Sequence, residues 1–490
     1  MAKPDFATFF VDATGHEPYP YQRDLAERPD LPVMLHAPTG TGKTEAAGLA
    51  WLWRRLCSPD PRVRRNTPRR LVYCLPMRVL VEQTRQRLEH CLARLASKDW
   101  LTELSVYTLM GGEMERDWVL NPHEESIIVG TQDMLVSAAL NRGYGTNRFQ
   151  WPVGFALLNN DALWVLDEVQ LMGASIPTTS QMAAFRQQLG TFGPMHTLWM
   201  SATVQPEWLH TSDHMPPDAD RIMGLGAADW SSPGLARRLQ AQKTVRVESL
   251  GSAERKAYPK ELAKRVLALH EPGTLTLVIL NTVERAIKLW STLTQQPAKG
   301  RSKRGASSPA DVPPSVVLLH SRFRPEDRAQ RLTDLMQMAT PASSGGIAVS
   351  TQVVEAGVDL SAHTLVTELA PWTSLVQRFG RCNRDGSMVD ARIVVIDLPD
   401  RDSSPYLSEE LAAARELITG MQGLSASPAT LPTGQVPLPL YDVLRRKDLL
   451  QLFDTTPDVS GNDLDISRYV RDTPDNALQV FWRDIKQRAS

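Results

Sequence analysis

Cysteine is scarce in this chain: four in 490 residues, at positions 57, 74, 91 and 382, none in a CxxC pair. Thiols scattered in this way exclude a disulfide scaffold and a zinc ribbon, and they suit a reducing compartment. No run of about 18 apolar residues occurs, so no transmembrane helix is expected. The opening MAKPDFATFFVDATG has too short an apolar run and too little basic charge for a secretory leader. Net charge is missing as well. The formal value is −1, so no global field holds the protein on a polyanion. Any grip on nucleic acid must come from a local basic groove, and it weakens with salt. An internal repeat at solenoid spacing is also absent. The apolar share of 42% with 22% charged residues is ordinary globular composition. A soluble, cytoplasmic protein of three or so domains is expected, at roughly 100–200 residues each.

Short apolar runs alternate with amphipathic stretches. LPVMLHA, RRLVYCLP, SIIVGT, ALWVLDE and HTLWMSAT read as buried strands, while KTEAAGLAWLWRRL and VLVEQTRQRLEHCLARLA carry apolar residues at helical spacing. Such alternation predicts an α/β protein with parallel sheets covered on both faces, binding ligands beyond the carboxyl ends of the strands. A second series begins near Thr274 with TLTLVILN, SVVLLHS, GIAVST, TLVTEL and ARIVVIDL. Residues 210–243, rich in Pro, Gly and Asp, read as an interdomain connection, and residues 296–315 as an exposed loop. The expected organisation is a first sheet domain over 1–232, a second over 233–400 and a smaller accessory region over 401–490.

The strongest motif is APTGTGKT at 37–44, between a strand and a helix. A Gly-rich turn can aim backbone amides at phosphate oxygens, and the following helix adds its positive end. Pro38, Thr39, Gly40, Thr41 and Gly42 form the turn, Lys43 reaches the terminal phosphates, and the Thr44 hydroxyl holds Mg²⁺. Ala37 stands where the strict pattern has Gly. The bland alternative is a strand-to-helix turn with no ligand. A phosphate loop also needs a metal carboxylate and a base. LWVLDEVQ supplies Asp167 for Mg²⁺ and Glu168 to orient water and accept its proton, although paired carboxylates at strand ends also serve as helix caps.

In the second series QRFGRCNRDG places Arg378, Arg381 and Arg384 at three-residue intervals, on what reads as one helical face. Cations so close repel unless an anion faces them, and a nucleotide can be that anion. An arginine finger of this kind is worth about 10³–10⁵ in rate. The alternative is a basic surface helix on nucleic-acid phosphates.

Taken in order, APTGTGKT, DEVQ (167–170), SAT (201–203), STQVVEAGVDL (350–360) and QRFGRCNRDG resemble the motifs of superfamily 2 helicases, as do YPYQ, CLPMRVLVEQT, IIVGTQDML and HSRF around them. The resemblance spans about residues 19–395 and implies two tandem RecA-like domains that clamp ATP. By resemblance, Gln22 contacts adenine, and Gln170, Ser201 and Thr203 link nucleotide state to the strand groove. Gly357 and Asp359 sense the nucleotide from the second domain. Gln377 contacts phosphate or water, and Arg381 and Arg384 act as fingers. Thr131, His320 and Thr351 touch the nucleic-acid backbone. DEVQ followed by LMG, EAGVDLSA and QRFGRCNRDG are similar to the CRISPR-associated helicase of type I interference, a helicase-nuclease family. That likeness implies 3′-to-5′ movement on single-stranded DNA, recruitment to an RNA-guided surveillance complex, and work as a monomeric motor.

The wider family carries a nuclease built on an adjacent His-Asp pair. None of the ten histidines here precedes Asp, so that nuclease is expected on a separate subunit, beyond residue 490, or not at all. His210 and His214 with Asp213 have helical metal-site spacing, but TSDHMPPD is Pro-broken and reads as a surface loop. PRVRRNTPRR (61–70) reads as a solvated loop. Two alternatives stay open: an RNA helicase or restriction-type translocase of the same superfamily, and an ATP-gated binding protein without turnover.

Overall fold

The computed structural model describes residues 3–471 apart from 99, 102–103, 112, 116, 204, 255, 296–313, 341–342, 356, 433–440 and 455–464. Most of the loop expected at 296–315 therefore lies outside the described residues. The chain divides into two units, Met1–Ser232 with Pro437–Ser490, and Pro233–Val436.

The first unit is built on eight strands: β1 (Met34–His36), β2 (Arg70–Leu75), β3 (Ser105–Met110), β4 (Glu113–Met114), β5 (Ser126–Thr131), β6 (Ala162–Asp167), β7 (Met195–Ser201) and β8 (Ile222–Gly224). Their order is β4-β3-β5-β2-β6-β7-β1-β8, parallel except for the short β3–β4 pair. The central strands β2, β5 and β6 are buried at every position, as expected where helices cover both faces. Trp51, Trp164 and Trp199 are among the largest side chains in this core. Each indole N–H is satisfied, by Pro68 O (2.8 Å), Leu158 O (2.7 Å) and Thr179 Oγ1 (3.2 Å), so their bulk is buried without an orphaned donor.

The second unit holds β9 (Thr244–Ser249), β10 (Leu275–Ile279), β11 (Val316–Leu319), β12 (Gly346–Ser350), β13 (Thr364–Glu368) and β14 (Arg392–Asp397), all parallel in the order β11-β12-β10-β13-β14-β9. Alternate residues feed two separate cores. Leu275, Leu277 and Ile279 of β10 join one, while Val278 joins the other, the period-two geometry of a sheet covered on both sides. The chain is an α/β protein of two RecA-like sheets.

Three expectations are corrected. Residues 401–490 do not stand apart. The helix Ser408–Gly420 packs Leu411, Ala414 and Ile418 into the second unit's core. Described residues beyond 440 return to the first unit, where Leu452 O accepts from Asn141 Nδ2 (2.9 Å), Tyr469 O from Thr178 Oγ1 (2.6 Å) and Val470 O from Ser175 Oγ (2.9 Å). The run 61–70 is not a loop. Asp60 caps a helix Pro61–Asn66, with Pro at its first position where the missing N–H costs nothing, and Arg70 opens β2. The stretch 210–243 is not wholly connection, since it includes β8 and the helix Pro233–Leu239.

Candidate nucleotide site and arginine turn

In the first unit the sequence motifs gather at the carboxyl ends of the strands. The phosphate loop leaves β1, and Gly40 and Gly42 both adopt φ +82°, a conformation that disfavours side chains. A Cβ on Gly42 would also sit 2.8 Å from Gln22 Nε2. Helix Lys43–Leu56 follows, so the loop's amides and the helix start face one place. Lys43 is 6% exposed, and its ammonium donates to Ala37 O (3.0 Å) and Pro38 O (3.3 Å). Thr41 Oγ1 donates to Pro38 O (2.9 Å), which tightens the turn around Thr39. Gln22 accepts from Tyr19 N (2.8 Å) and donates to Gly42 O (3.0 Å). In this structure it therefore braces the loop from the side, with both ends of its amide engaged. Tyr21 Oη adds a bond to Thr41 O (2.8 Å).

Asp167 ends β6 and is buried, held by Tyr73 Oη (2.8 Å to Oδ2) and by Glu168 N (2.9 Å to Oδ1). Burial, followed by the charge of Glu168, raises the Asp167 pKa to about 6, while Lys43 and the Tyr73 hydroxyl pull it down. Glu168 adopts φ 55° and ψ 46°, a left-handed conformation uncommon for a non-glycine residue and concentrated at functional sites. From it runs a polar relay. Gln170 Nε2 donates to Glu168 Oε2 (2.7 Å), Ser201 Oγ donates to Gln170 Oε1, and Thr203 N donates to Ser201 Oγ (2.9 Å). His36 at the end of β1 meets Ala202 O and ties the SAT turn to the phosphate loop's own strand. Sequence reasoning missed Tyr73 and His36. The one available signal was a tyrosine in the otherwise apolar run LVYCL.

The second unit pairs Arg384 with Asp359 and sets Arg381 against the backbone at Val354 and Glu355, but the three arginines do not share one helical face. Helix Trp372–Phe379 ends before Arg381, so only Arg378 belongs to it. Arg378 is fully buried. It pairs with Glu355 (2.7 Å) and donates to Asn281 Oδ1 (3.1 Å), Thr367 Oγ1 (2.8 Å) and Glu368 O (3.0 Å). Arg381, 4% exposed, donates to the carbonyls of Val354 (2.9 Å) and Glu355 (2.6 Å). Arg384 pairs with Asp359 at 3.0 Å, whose side chain is 60% exposed. Carboxylates of the domain itself thus face Arg378 and Arg384, while Arg381 meets backbone carbonyls. Gly357 has φ +79° beside Asp359, and Gln377 is 1% exposed.

Thr131 ends β5, while His320 and Thr351 directly follow β11 and β12. All three are less than a tenth exposed. His320 stacks on Phe323 with centroids 4.2 Å apart, and burial lowers its pKa. His210, Asp213 and His214 do not converge on a metal. Asp213 accepts from Gln181, and His214 Nδ1 meets Leu209 O (2.9 Å). Among the described residues no His/Cys/Asp/Glu cluster suits an ion, and no helix is long and apolar enough to cross a membrane.

Residues 21–211 match the DEAD/DEAH box helicase family, and residues 272–387 match the C-terminal region of the CRISPR-associated nuclease/helicase Cas3. The putative CRISPR-associated nuclease/helicase Cas3 of Myxococcus xanthus is 26% identical over 459 residues, covering 90% of this chain and 54% of the relative. The CRISPR-associated helicase Cas3 of Thermoproteus tenax is 28% identical over 409 residues, 81% of this chain and 60% of the relative. The chain thus spans somewhat over half the length of these curated relatives. Among solved structures, T. fusca Cas3 with AMPPNP shares the fold over 99% of this chain and 56% of its own, with a TM-score of 0.59 at 20% identity. These ordered matches give the chain a DEAD/DEAH box helicase domain over residues 21–211, followed by a Cas3-like helicase domain over residues 272–387.

Proposed function

We propose that the chain is an ATP-driven translocase on single-stranded DNA, moving 3′ to 5′ in the service of type I CRISPR interference. The observation that carries this reading is the relay Glu168–Gln170–Ser201–Thr203. It connects the carboxylate next to Asp167 with the SAT turn through three hydrogen bonds, a path by which loss of a phosphate can reach a strand-binding surface. The donor set fits Mg²⁺·ATP: a hydroxyl and a carboxylate, both hard oxygen ligands, stand beside a helix start and an ammonium. Thr44 and Asp167 would hold the cation, which when bound neutralises charge on the phosphates. Glu168 orients the attacking water and accepts its proton. Gln22 reads the adenine by exchanging one of its two present bonds. Arg384 and Arg381, with Gln377 and Asp359, supply the second domain's contribution to hydrolysis, and Thr131, His320 and Thr351 line the strand's path.

A surveillance complex carrying guide RNA is the proposed recruiting partner, with the nuclease provided by another polypeptide or by further sequence. A prokaryotic cytoplasm and a monomeric motor accord with this role. The test is ATP hydrolysis with and without single-stranded DNA or RNA, beside a Lys43→Ala control. Stimulation by DNA that the control loses is the expected result. Stimulation by RNA alone would move the assignment to RNA metabolism, and no turnover on either strand would leave an ATP-gated binding protein.

A further inference from the structure

The turn bearing Arg381 and Arg384 is fastened from one side by the segment that enters the second unit. After the helix Pro233–Leu239, Lys243 lies immediately before β9 and is 2% exposed. Its ammonium donates to Phe379 O and Cys382 O, both at 2.8 Å. These carbonyls flank Gly380 and Arg381 at the end of helix Trp372–Phe379, where the backbone runs out of helical partners. The same segment holds the rest of the turn. Asn383 Nδ2 donates to Gln242 O (2.8 Å), and Arg237 Nε to Asp385 O (3.0 Å). At Gly386, φ +72°, a Cβ would lie 2.2 Å from Arg237 O, so the turn is pressed onto this segment. Burial first, and then the charges of Arg384 and Arg381, pull the Lys243 pKa down to about 8. Burying an amine beside two guanidiniums is costly, and an apolar side chain would fill the space without that cost. The hydrogen bonds it makes shape the backbone of the arginine turn.

We infer that Lys243 is a positioning residue for Arg381, fixing the turn that presents it and linking it to the entry of the second domain. The inference rests on the reading that the chain hydrolyses ATP. It is tested by a double-mutant cycle of Lys243→Met with Arg381→Ala in steady-state, strand-stimulated hydrolysis. Lys243→Met is expected to lower kcat about 10-fold while leaving the KM for ATP within about 2-fold, because the phosphate loop is untouched. In the Arg381→Ala background the same change should cost less than about 2-fold, since residues acting as a unit are not additive. Lys243→Gln, which keeps a donor of shorter reach, runs through the same cycle and gives the answer if the methionine variant does not fold. Unchanged kcat in Lys243→Met, or losses that multiply in the double variant, would overturn the inference alone. A parent chain without turnover would overturn the functional reading, and this inference with it.

Discussion

The two units hold their polar and charged residues by different means. In the first, Lys43, Gln22, Glu168 and Ser201 bind neutral partners: loop carbonyls, an amide and a hydroxyl. Such bonds exchange at modest net cost, about 0.5–1.5 kcal/mol between neutral groups and about 1.5–3 kcal/mol where one group is ionised, so the site can be remade around a phosphate. In the second, Arg378 is locked to Glu355 inside the core, a pair that is strongly destabilising to break from one side. Arg384 differs from its neighbour. Its partner Asp359 is 60% exposed, and exposed pairs are worth about 0–1 kcal/mol. Burial thus sorts three arginines that look equivalent in sequence into a core anchor, a buried brace on the carbonyls of Val354 and Glu355, and one held by an exposed carboxylate.

That comparison can be broken at several points. Lys43→Ala and Glu168→Gln carry the largest expected effect, a loss of hydrolysis of roughly 10⁴-fold or more, with Glu168→Gln still binding ATP in a fluorescent-nucleotide titration. Equal loss of binding in both would place Glu168 in the framework. Next, Arg384→Ala should lower kcat by about 10³-fold and melt like the parent. Arg378→Ala should instead lose about 3–5 kcal/mol of stability, because Glu355 is left buried without its cation. Denaturant unfolding together with turnover separates the two, and a stable, inactive Arg378→Ala protein would reverse their roles.

Acidity gives a smaller effect. The raised Asp167 pKa means that the folded chain keeps a proton that the unfolded chain releases. This group's stabilisation is therefore present below the ordinary value of 3.8 and is lost as pH rises toward about 6. Cation binding runs the opposite way, since it needs the carboxylate. Mg²⁺ affinity should weaken as pH falls below about 6, and Tyr73→Phe should weaken it at any pH, measured by Mg²⁺ titration of bound fluorescent ADP. The smallest change is expected from Ser201→Ala. Two neutral bonds are removed, so basal hydrolysis should fall by about 10-fold, while stimulation by a strand is lost. Stimulation kept at the parental level would break the relay.

Sequence reading located the strands that carry these sites, and for a physical reason. Strands such as LVYCL and LWVLD are buried on both faces and stand out as apolar runs, and a phosphate loop is a local turn whose sequence pattern spans eight residues. What it missed depends on partners far along the chain. β9 alternates exposed and covered positions at a sheet edge, a pattern too short to separate from the Pro- and Gly-rich stretch before it. The break between Arg378 and Arg381 depends on Gly380 ending a helix. Glu355, 23 residues before Arg378, and Lys243, far upstream, are placed by the sheet's crossovers, which spacing cannot show. The return of the chain's end to the first unit is likewise a matter of tertiary contact alone.

The central claim, that hydrolysis drives movement along a strand, is tested most directly by strand displacement on DNA duplexes with either a 3′ or a 5′ single-stranded tail. With Mg²⁺ and ATP, the duplex with the 3′ tail should be unwound and the 5′-tailed one left intact, with no activity in Glu168→Gln. ATP turnover stimulated by DNA but without displacement from either tail would contradict the account.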